Sequence, residues 1–255
     1  MKTGENMEEK PLHIQCVVLK DGMEKDLKRF PFNIPIIKHF KKITFNKPVT
    51  FIVGENGCGK STLLEAIAVS YGFNPEGGSK NFNFETKNTH SDLFKFLKIV
   101  KSYNKANDGY FLRAESFYNL ASNIDEINNA GLGRPLYDSY GGKSLHNQSH
   151  GESFLSLLKY RLGGNGLYIF DEPEAALSPM KLLELLIIID DLVNKNSQFI
   201  ISTHSPILMA YPKAEIYEID GSKLKLTAFE ETKHYSITKY FILNYEQMIK
   251  NLGIE

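Results

Sequence analysis

The amino-acid sequence predicts an α/β protein in which a mostly parallel β-sheet lies between helices, with a small antiparallel β-layer beside it. Residues 49–71 give the first indication, because a buried apolar strand, a glycine-rich loop and a helical segment follow one another there. The second indication is the regular alternation of strands and helices after residue 151. Two short strand-like segments before residue 49 account for the antiparallel layer. At 255 residues, we expect one domain, 1–255, with a helical and loop insertion at roughly 73–150 and a C-terminal hairpin and helix at 215–255.

The region before residue 150 contains short elements separated by loops rich in Gly, Asn and Ser. The predicted elements are strands at 12–20, 43–45, 49–53 and 110–114, and helices at 63–71, 91–100 and 115–123. The helix at 91–100 is predicted to be amphipathic, from the apolar residues Leu93, Phe94, Phe96, Leu97 and Val100. Residues 130–150 show no periodicity, and we expect a loop that becomes ordered around a ligand or partner.

The region after residue 150 alternates more regularly. Helices are predicted at 151–162, 179–194 and 236–252, and strands at 167–170, 199–202, 215–219 and 224–229. The last two strands form a β-hairpin, since Asp220-Gly221 is a strong turn signal between them. Strands that alternate with helices are typical of a parallel sheet covered by helices on both faces.

The composition indicates a neutral protein without membrane or disulfide signals. Lys plus Arg and Asp plus Glu each number 30, so the chain lacks the overall basic excess typical of nucleic-acid-binding proteins. A local basic patch at 38–47 is the candidate that the sequence leaves for contact with a nucleic acid. Two cysteines, Cys16 and Cys58, are too few for a disulfide framework. The longest apolar run, 185–189, is far too short to span a bilayer. We therefore expect a cytoplasmic protein with no membrane insertion.

The stretch between the strand at 49–53 and the helix at 63–71 fits the pattern G-x-x-x-x-G-K-[ST], which is typical of phosphate-binding P-loops. Its residues are Gly54, Glu55, Asn56, Gly57, Cys58, Gly59, Lys60, Ser61 and Thr62. The glycines allow backbone N–H groups to wrap phosphate groups, and the start of the following helix directs its positive dipole end at the same anion. Lys60 is expected to reach the β- and γ-phosphates, and the Ser61 hydroxyl to ligate Mg²⁺. The sequence therefore predicts a site for a nucleoside triphosphate.

Two other predicted strands end in polar residues that suit this chemistry. The strand at 167–170 is followed by Asp171 and Glu172, and the strand at 199–202 is followed closely by His204. The carboxyl ends of parallel strands lie at the same edge of a sheet, so we expect these side chains beside the P-loop. Asp171 is a candidate Mg²⁺ ligand, Glu172 a candidate general base for the attacking water, and His204 a residue that binds the γ-phosphate or positions that water.

Together, residues 54–62, 171–178 and 202–206 resemble the Walker A, Walker B with D-loop, and switch-histidine motifs of the ABC superfamily of ATPases. In that family a signature segment upstream of Walker B contacts the γ-phosphate bound to a second subunit, so that two nucleotides lie between two head-to-tail protomers. The matching residues here are Ser149, His150, Gly151 and Glu152, which precede a predicted helix. The resemblance covers most of the chain, residues 12–220, and implies an ATPase that uses ATP and Mg²⁺.

The departures from the family pattern narrow the resemblance. His150 and Glu152 replace the Gly and Gln of transporters, which is closer to the soluble ABC-type ATPases with SMC-like heads that prokaryotes contain and that are often grouped as AAA-family ATPases. Glu115 stands near the place of the Q-loop glutamine, and we interpret it as a candidate ligand for the metal or water. Only about ninety residues separate Lys60 from Ser149 and none shows sustained heptads, so the long coiled coils of chromosome-handling relatives are not expected here.

The expected function is a Mg²⁺-dependent ATPase that forms a homodimer around ATP and opens after hydrolysis, acting as a switch for a separate effector protein or for DNA. The resemblance suggests roles in DNA maintenance or anti-phage defence. Two alternatives stay open. One is the ATP-binding subunit of a membrane transporter, which would co-purify with a membrane protein. The other is a nucleotide-gated scaffold with little turnover, against which the candidate base Glu172 argues; a small-molecule kinase would leave His204 and residues 149–152 without a role.

Overall fold

The computed structural model describes residues 11–21, 26–79, 91–113 and 150–254. Its helices are α1 (Pro35–His39), α2 (Lys60–Tyr71), α3 (Leu93–Phe96), α4 (His150–Arg161), α5 (Pro179–Asn194), α6 (Pro206–Met209) and α7 (Lys233–Asn251). Its strands are β1 (Ile14–Leu19), β2 (Lys42–Thr44), β3 (Val49–Gly54), β4 (Gly78–Ser79), β5 (Leu97–Lys101), β6 (Asp108–Arg113), β7 (Gly166–Asp171), β8 (Gln198–Ser202), β9 (Ala214–Asp220) and β10 (Lys223–Leu226). Short 3-10 helices lie at Pro173–Ala176 and Phe229–Glu231. The predicted helix at 115–123 and most of the predicted loop at 130–150 lie outside the described residues.

The central sheet has the strand order β10-β9-β3-β8-β7-β6-β4. Its inner strands are parallel to one another, and the edge strands β10 and β4 are antiparallel to their neighbours. Every residue of β3, β7 and β8 is buried, as expected for parallel strands covered on both faces. The predicted α/β fold with a mostly parallel sheet is therefore confirmed.

Apolar layers on both faces of the sheet hold the helices in place. On one face, α4 and α5 pack into a buried cluster that includes Phe170 and Phe199 of the sheet. On the other face, α2 contributes the fully buried Leu64 and Ile67 to a second cluster with Ile169. Burying an aliphatic side chain of this size contributes roughly 1.5–3 kcal/mol. The helix that follows the glycine-rich loop is thus anchored on the sheet, which fixes the direction of its N-terminus.

The antiparallel layer has the strand order β2-β1-β5, which is one strand more than the sequence analysis predicts. The predicted helix at 91–100 is wrong beyond α3, because β5 is extended and pairs with β1, with Ile99 opposite Val17. Leu97, Ile99 and Val100 fit a half-buried pleated surface as well as a helical face. The unpaired backbone groups along the edge of β1 can form hydrogen bonds only with an extended segment. Pairing with β1 therefore favours a strand over a helix for these residues.

The C-terminal elements differ from the prediction at their ends. β10 ends at Leu226 rather than at residue 229, and α7 begins at Lys233 rather than at residue 236. Thr232 caps α7, since its side chain accepts a hydrogen bond from the backbone N–H of Tyr235. No residue of α7 is buried. Within the described ranges, no helix has both the length and the hydropathy that crossing a membrane requires.

Candidate nucleotide-binding site

The P-loop connects β3 to α2 at the carboxyl edge of the central sheet. Gly54, Gly57 and Gly59 have φ angles of 153°, 75° and 103°, which residues with a side chain rarely adopt. At Gly59, a Cβ atom would approach the Cγ2 atoms of Ile34 and Ile36 to 3.0 Å and 2.9 Å. The loop therefore has no room for a side chain at this position, and it packs closely against the segment that forms α1.

Lys60 is the first residue of α2 and is only 3% exposed. Its ammonium group donates hydrogen bonds to the carbonyl oxygens of Gly54 at 3.0 Å and Glu55 at 3.2 Å. The same Nζ atom lies 3.9 Å from Oε1 of Glu172. A buried cation at the start of a helix, where backbone N–H groups also point outward, can bind an anion such as a phosphate group.

Asp171 ends β7 and is buried beside two hydroxyl groups. Its Oδ1 accepts a hydrogen bond of 2.6 Å from Oγ of Ser202 on β8. Burial raises the pKa of Asp171, and the hydrogen bond from Ser202, the charge of Arg113 and a hydrogen bond from Ser61 oppose this increase. The described residues contain no cluster of three His, Cys, Asp or Glu side chains that could hold a metal ion, and Glu115 lies outside them. The oxygen donors of Ser61 and Asp171 nevertheless fit Mg²⁺, which prefers few protein ligands together with phosphate oxygens and water.

Arg113, at the end of β6, belongs to a charge network that the sequence analysis does not predict. Its Nη1 lies 2.7 Å from Oε2 of Glu65 on α2, and its Nε lies 3.9 Å from Oδ2 of Asp171. The backbone N–H of Ser91 donates a further hydrogen bond to Glu65 at 3.1 Å. Arg113 therefore offsets the charge of carboxylates from both α2 and β7. The available sequence signal was Glu65 itself, an acidic residue inside an otherwise apolar helix.

Replacing Arg113 by alanine is expected to lower the free energy of unfolding by about 3–5 kcal/mol, because Glu65 would stay buried without its counter-charge. Urea denaturation followed by circular dichroism measures this change. A matched control is Lys195→Ala, which removes an exposed ion pair with Asp191 (2.7 Å). This control is expected to cost less than about 1 kcal/mol. Equal losses in the two variants would contradict a stabilising role for the buried network.

Glu172 follows β7 with a left-handed backbone, at φ 50° and ψ 54°. Its backbone N–H donates to the carbonyl oxygen and to the hydroxyl of Ser202, both at 3.1 Å, and these bonds hold the conformation in place. The Oε1 atom of its partly exposed carboxylate lies 3.9 Å from Nζ of Lys60 and 3.4 Å from Nε2 of His204. A left-handed backbone costs roughly 1–2 kcal/mol in a residue with a side chain. Here it accompanies a carboxylate that lies between the P-loop lysine and the histidine.

His204 follows β8 and is held by two residues to which the sequence analysis assigns no role. Its backbone N–H donates to Oε1 of Glu174, and its Nδ1 lies 3.0 Å from Nε2 of His234 in the first turn of α7. Burial raises the pKa of Glu174. Glu174 comes two residues after Glu172 in the acidic segment that follows β7, so its place near the site could have been predicted from the sequence. His234 is 30 residues away from His204 and lay outside the predicted helix, so the sequence contained no comparable signal for it.

Two family models match consecutive parts of this chain. A family model described as an AAA domain matches residues 32–149. A second AAA-domain model, whose description also names the AbiEii toxin and type IV TA systems, matches residues 153–210. In these two consecutive regions the chain resembles ABC/SMC-like P-loop ATPases of the AAA family. Hydrolysis of ATP is the activity that these families indicate.

The chain is similar to part of a curated protein, and its fold is similar to solved structures. The DNA repair protein RAD50 of Drosophila melanogaster is 27% identical over 128 residues, which cover 41% of this chain but only 9% of RAD50. The SMC head domain from Thermotoga maritima has 16% identity and a TM-score of 0.45, covering 85% of this chain and 99% of that one. The protein cbiO1 from Clostridium perfringens, part of the ABC transporter complex cbiONQ, has 15% identity and a TM-score of 0.45, covering 84% and 91%.

The predicted signature segment, Ser149 to Glu152, is described in part. Ser149 lies outside the described residues, and His150 is the first residue of α4. A Cβ atom at Gly151 would lie 3.3 Å from the carbonyl oxygen of Ala176, so the start of α4 packs against the 3-10 turn that follows β7. Glu152 is exposed in the first turn of α4. The first turn of this helix is therefore supported by the segment that follows the Asp171-Glu172 pair.

Cys58 of the P-loop is half-buried, and burial raises the pKa of its thiol, although the charge of Lys60 acts in the opposite direction. The thiolate is the reactive form of cysteine, so the raised pKa disfavours reactivity. A Cβ atom at Gly54 would lie 3.0 Å from Sγ of Cys58. The side chain thus packs against the end of β3, which is the behaviour of a small apolar filler.

Proposed function

We propose that this ATPase hydrolyses Mg²⁺-bound ATP at a composite site between two head-to-tail copies of the chain, and that this cycle switches a separate partner protein or nucleic acid. The observation that carries the proposal is the position of the Glu172 carboxylate, 3.9 Å from Nζ of Lys60 and 3.4 Å from Nε2 of His204. A cation, a carboxylate and an imidazole beside a P-loop are groups that can bind a terminal phosphate and activate water next to it.

Each of these side chains has a distinct role in the proposed reaction. The P-loop amides and Lys60 bind the β- and γ-phosphates. Glu172 accepts a proton from the attacking water, and His204 donates a hydrogen bond that holds the γ-phosphate or orients that water. Ser61 and Asp171 hold Mg²⁺, which when bound neutralises charge on the phosphates.

The start of α4 supports the composite part of the proposal. A Cβ atom at Gly151 would have Ala176 and Leu177 as its nearest neighbours, at 3.3 Å and 3.6 Å, and both lie in the segment after β7 rather than in the P-loop. The first N–H groups of a helix have no partner within that helix, so those of α4, together with Ser149, can bind the γ-phosphate held by a second copy. This contact exists only in the closed dimer, which explains how ATP would favour closure and hydrolysis would release it.

The exposed surface of α7 supports a separate protein partner. Ile242 and Leu243 are 65% and 70% exposed and line one apolar groove together with Pro206, Ile207, Phe229 and Tyr235, and exposed apolar surface of this kind is typical of interaction sites. A nucleic-acid partner and a role in DNA maintenance are supported by the similarity to RAD50, which is a DNA repair protein. The toxin–antitoxin description of the second family model supports a role in defence.

The solution mass of Glu172→Gln with and without Mg·ATP tests the composite site. We expect light scattering on a sizing column to show the mass doubling from 29.0 kDa when ATP is added, because this variant binds ATP but does not hydrolyse it to reopen the dimer. Ser149→Arg in the same background is expected to bind ATP as a monomer, since the long, charged arginine side chain would obstruct the approach of the second copy. A mass that ATP binding leaves unchanged would contradict the homodimer.

A further inference from the structure

A second imidazole lies directly behind the proposed catalytic histidine. Nδ1 of His204 and Nε2 of His234 are 3.0 Å apart, and the two ring centroids are 5.1 Å apart at an angle of 57°. His204 follows a strand of the central sheet, whereas His234 belongs to the first turn of α7. The contact therefore joins the reaction site to the C-terminal helix.

We propose that His234 is a positioning residue that determines which ring nitrogen of His204 carries the proton. This inference rests on the proposed role of His204 and Glu172 in ATP hydrolysis. A neutral imidazole has one N–H donor and one acceptor nitrogen, so a partner at one nitrogen decides what the other nitrogen can do.

The surroundings of His204 determine the direction of the hydrogen bond. Its Nε2 lies 3.4 Å from Oε1 of Glu172, and an ionised carboxylate can only accept a hydrogen bond. A proton on Nε2 is therefore favoured, and Nδ1 is left as the acceptor for an N–H donated by Nε2 of His234. The 3.4 Å contact with Glu172 is not a full hydrogen bond, because among the described residues Nε2 of His204 is buried and has no hydrogen-bond partner. In the proposed reaction, this N–H donates to the γ-phosphate or to the attacking water. The remaining nitrogen of His234, Nδ1, is buried and has no partner in the described part of the chain.

The environment of His234 favours its neutral form, in which one ring nitrogen donates a hydrogen bond and the other accepts one. Burial is the largest cause that lowers the pKa of His234, and the neighbouring His204 lowers it further. Glu55 and Glu218 act in the opposite direction, and Lys60 lowers the pKa again. At neutral pH, His234 therefore has one ring N–H. Because Nε2 lies beside Nδ1 of His204, this N–H is on Nε2 and donates to Nδ1 of His204.

The start of α7 does not depend on this histidine. Thr232 already caps the helix by accepting from the backbone N–H of Tyr235, and its own hydroxyl donates to the carbonyl oxygen of Phe229. Because Thr232 already supplies the cap, His234 is not needed to start the helix. Its contact with His204 therefore requires a separate explanation. Positioning of His204 supplies it.

A double-mutant cycle on the full chain separates positioning from a structural role. We expect His234→Ala to lower kcat by roughly 10–100-fold, as for residues that orient a catalytic group through a hydrogen bond. The KM for Mg·ATP should change by less than about twofold, because the hydrogen bond of His234 is to His204 rather than to a P-loop residue. His234→Gln, which keeps an N–H donor, should recover most of the lost kcat. Adding His234→Ala to His204→Ala should cause no further loss, because His234 acts only through His204.

The control variant is Ser236→Ala, an exposed change in the same turn of α7, which should keep the wild-type kcat. Two results would overturn the positioning role. One is a double variant whose loss of kcat is the product of the two single losses, and the other is a kcat of His234→Ala equal to that of the wild type. If His204→Ala itself keeps the wild-type kcat, the proposed function of His204 fails instead.

Nitrogen NMR of the histidine rings in the wild-type chain tests the tautomer without any substitution. The signals are assigned by their loss in the two alanine variants. We expect Nδ1 of His204 to be free of a proton at neutral pH and Nε2 of His204 to carry one. A protonated Nδ1 with an unprotonated Nε2 would overturn the proposal.

Discussion

Replacing Lys60 by alanine is expected to weaken the binding of Mg·ATP by at least roughly 100-fold, which places it beyond detection in most titrations. The side chain is 3% exposed, and its Nζ is held within 3.9 Å of Glu172 at the start of α2. A cation in this position is already desolvated and oriented, so it contributes more to binding a phosphate group than an exposed lysine does. Isothermal titration with ATP and Mg²⁺ measures the loss directly.

The matched control for this experiment is Lys47→Ala. Lys47 is exposed and its Nζ donates to the carbonyl oxygen of Ala214, away from the P-loop residues. We expect the control to bind ATP as the wild type does. Thermal unfolding of both variants shows whether the P-loop variant is still folded. A folded Lys60→Ala variant that binds ATP tightly would remove the P-loop assignment.

The second large effect is expected for Glu172→Gln, which should lower kcat by roughly 100- to 10,000-fold while ATP affinity changes little. Glutamine keeps the length and shape of the side chain but cannot accept a proton from water at neutral pH. The hydrogen bonds from the Glu172 backbone to Ser202 do not involve the side chain, so the left-handed conformation should persist. Steady-state phosphate release and a separate ATP titration distinguish the loss of turnover from a loss of binding.

Glu184→Gln is a suitable control for the second experiment, because Glu184 is an exposed residue of α5 paired with Lys181. It should leave both turnover and binding unchanged. If Glu172→Gln hydrolyses ATP at the wild-type rate, the general base must be another group. Glu174 is the next carboxylate to examine, since it is bonded to the backbone of His204.

The positions of the P-loop, Asp171, Glu172 and His204 at the sheet edge could be predicted because each lies next to its own structural signal. The P-loop directly joins a buried strand to a helix, and Asp171, Glu172 and His204 each follow a buried strand closely. In a parallel sheet these strand ends lie at one edge, whatever the remaining segments do. The roles of these residues stay proposals, and Glu115 and Ser149 lie outside the described residues.

The features that the sequence analysis predicted wrongly or missed all depend on contacts between segments that are distant in the sequence. Residues 97–101 are compatible with a helical or an extended backbone, and the open edge of β1 decides for the strand. The ion pair of Arg113 with Glu65 joins β6 to α2, which no local pattern specifies. The approach of His234 to His204 depends on where α7 begins and on how that first turn packs.

By itself, the sequence determined the fold class and the identity of the groups around the P-loop, because hydrophobic periodicity and contiguous motifs are local properties of the chain. Only the tertiary structure decided the third strand of the antiparallel layer, the buried Arg113–Glu65 pair and the contact between the two histidines. Each of these depends on hydrogen-bonding edges and charges that distant segments leave unsatisfied until they pack against one another.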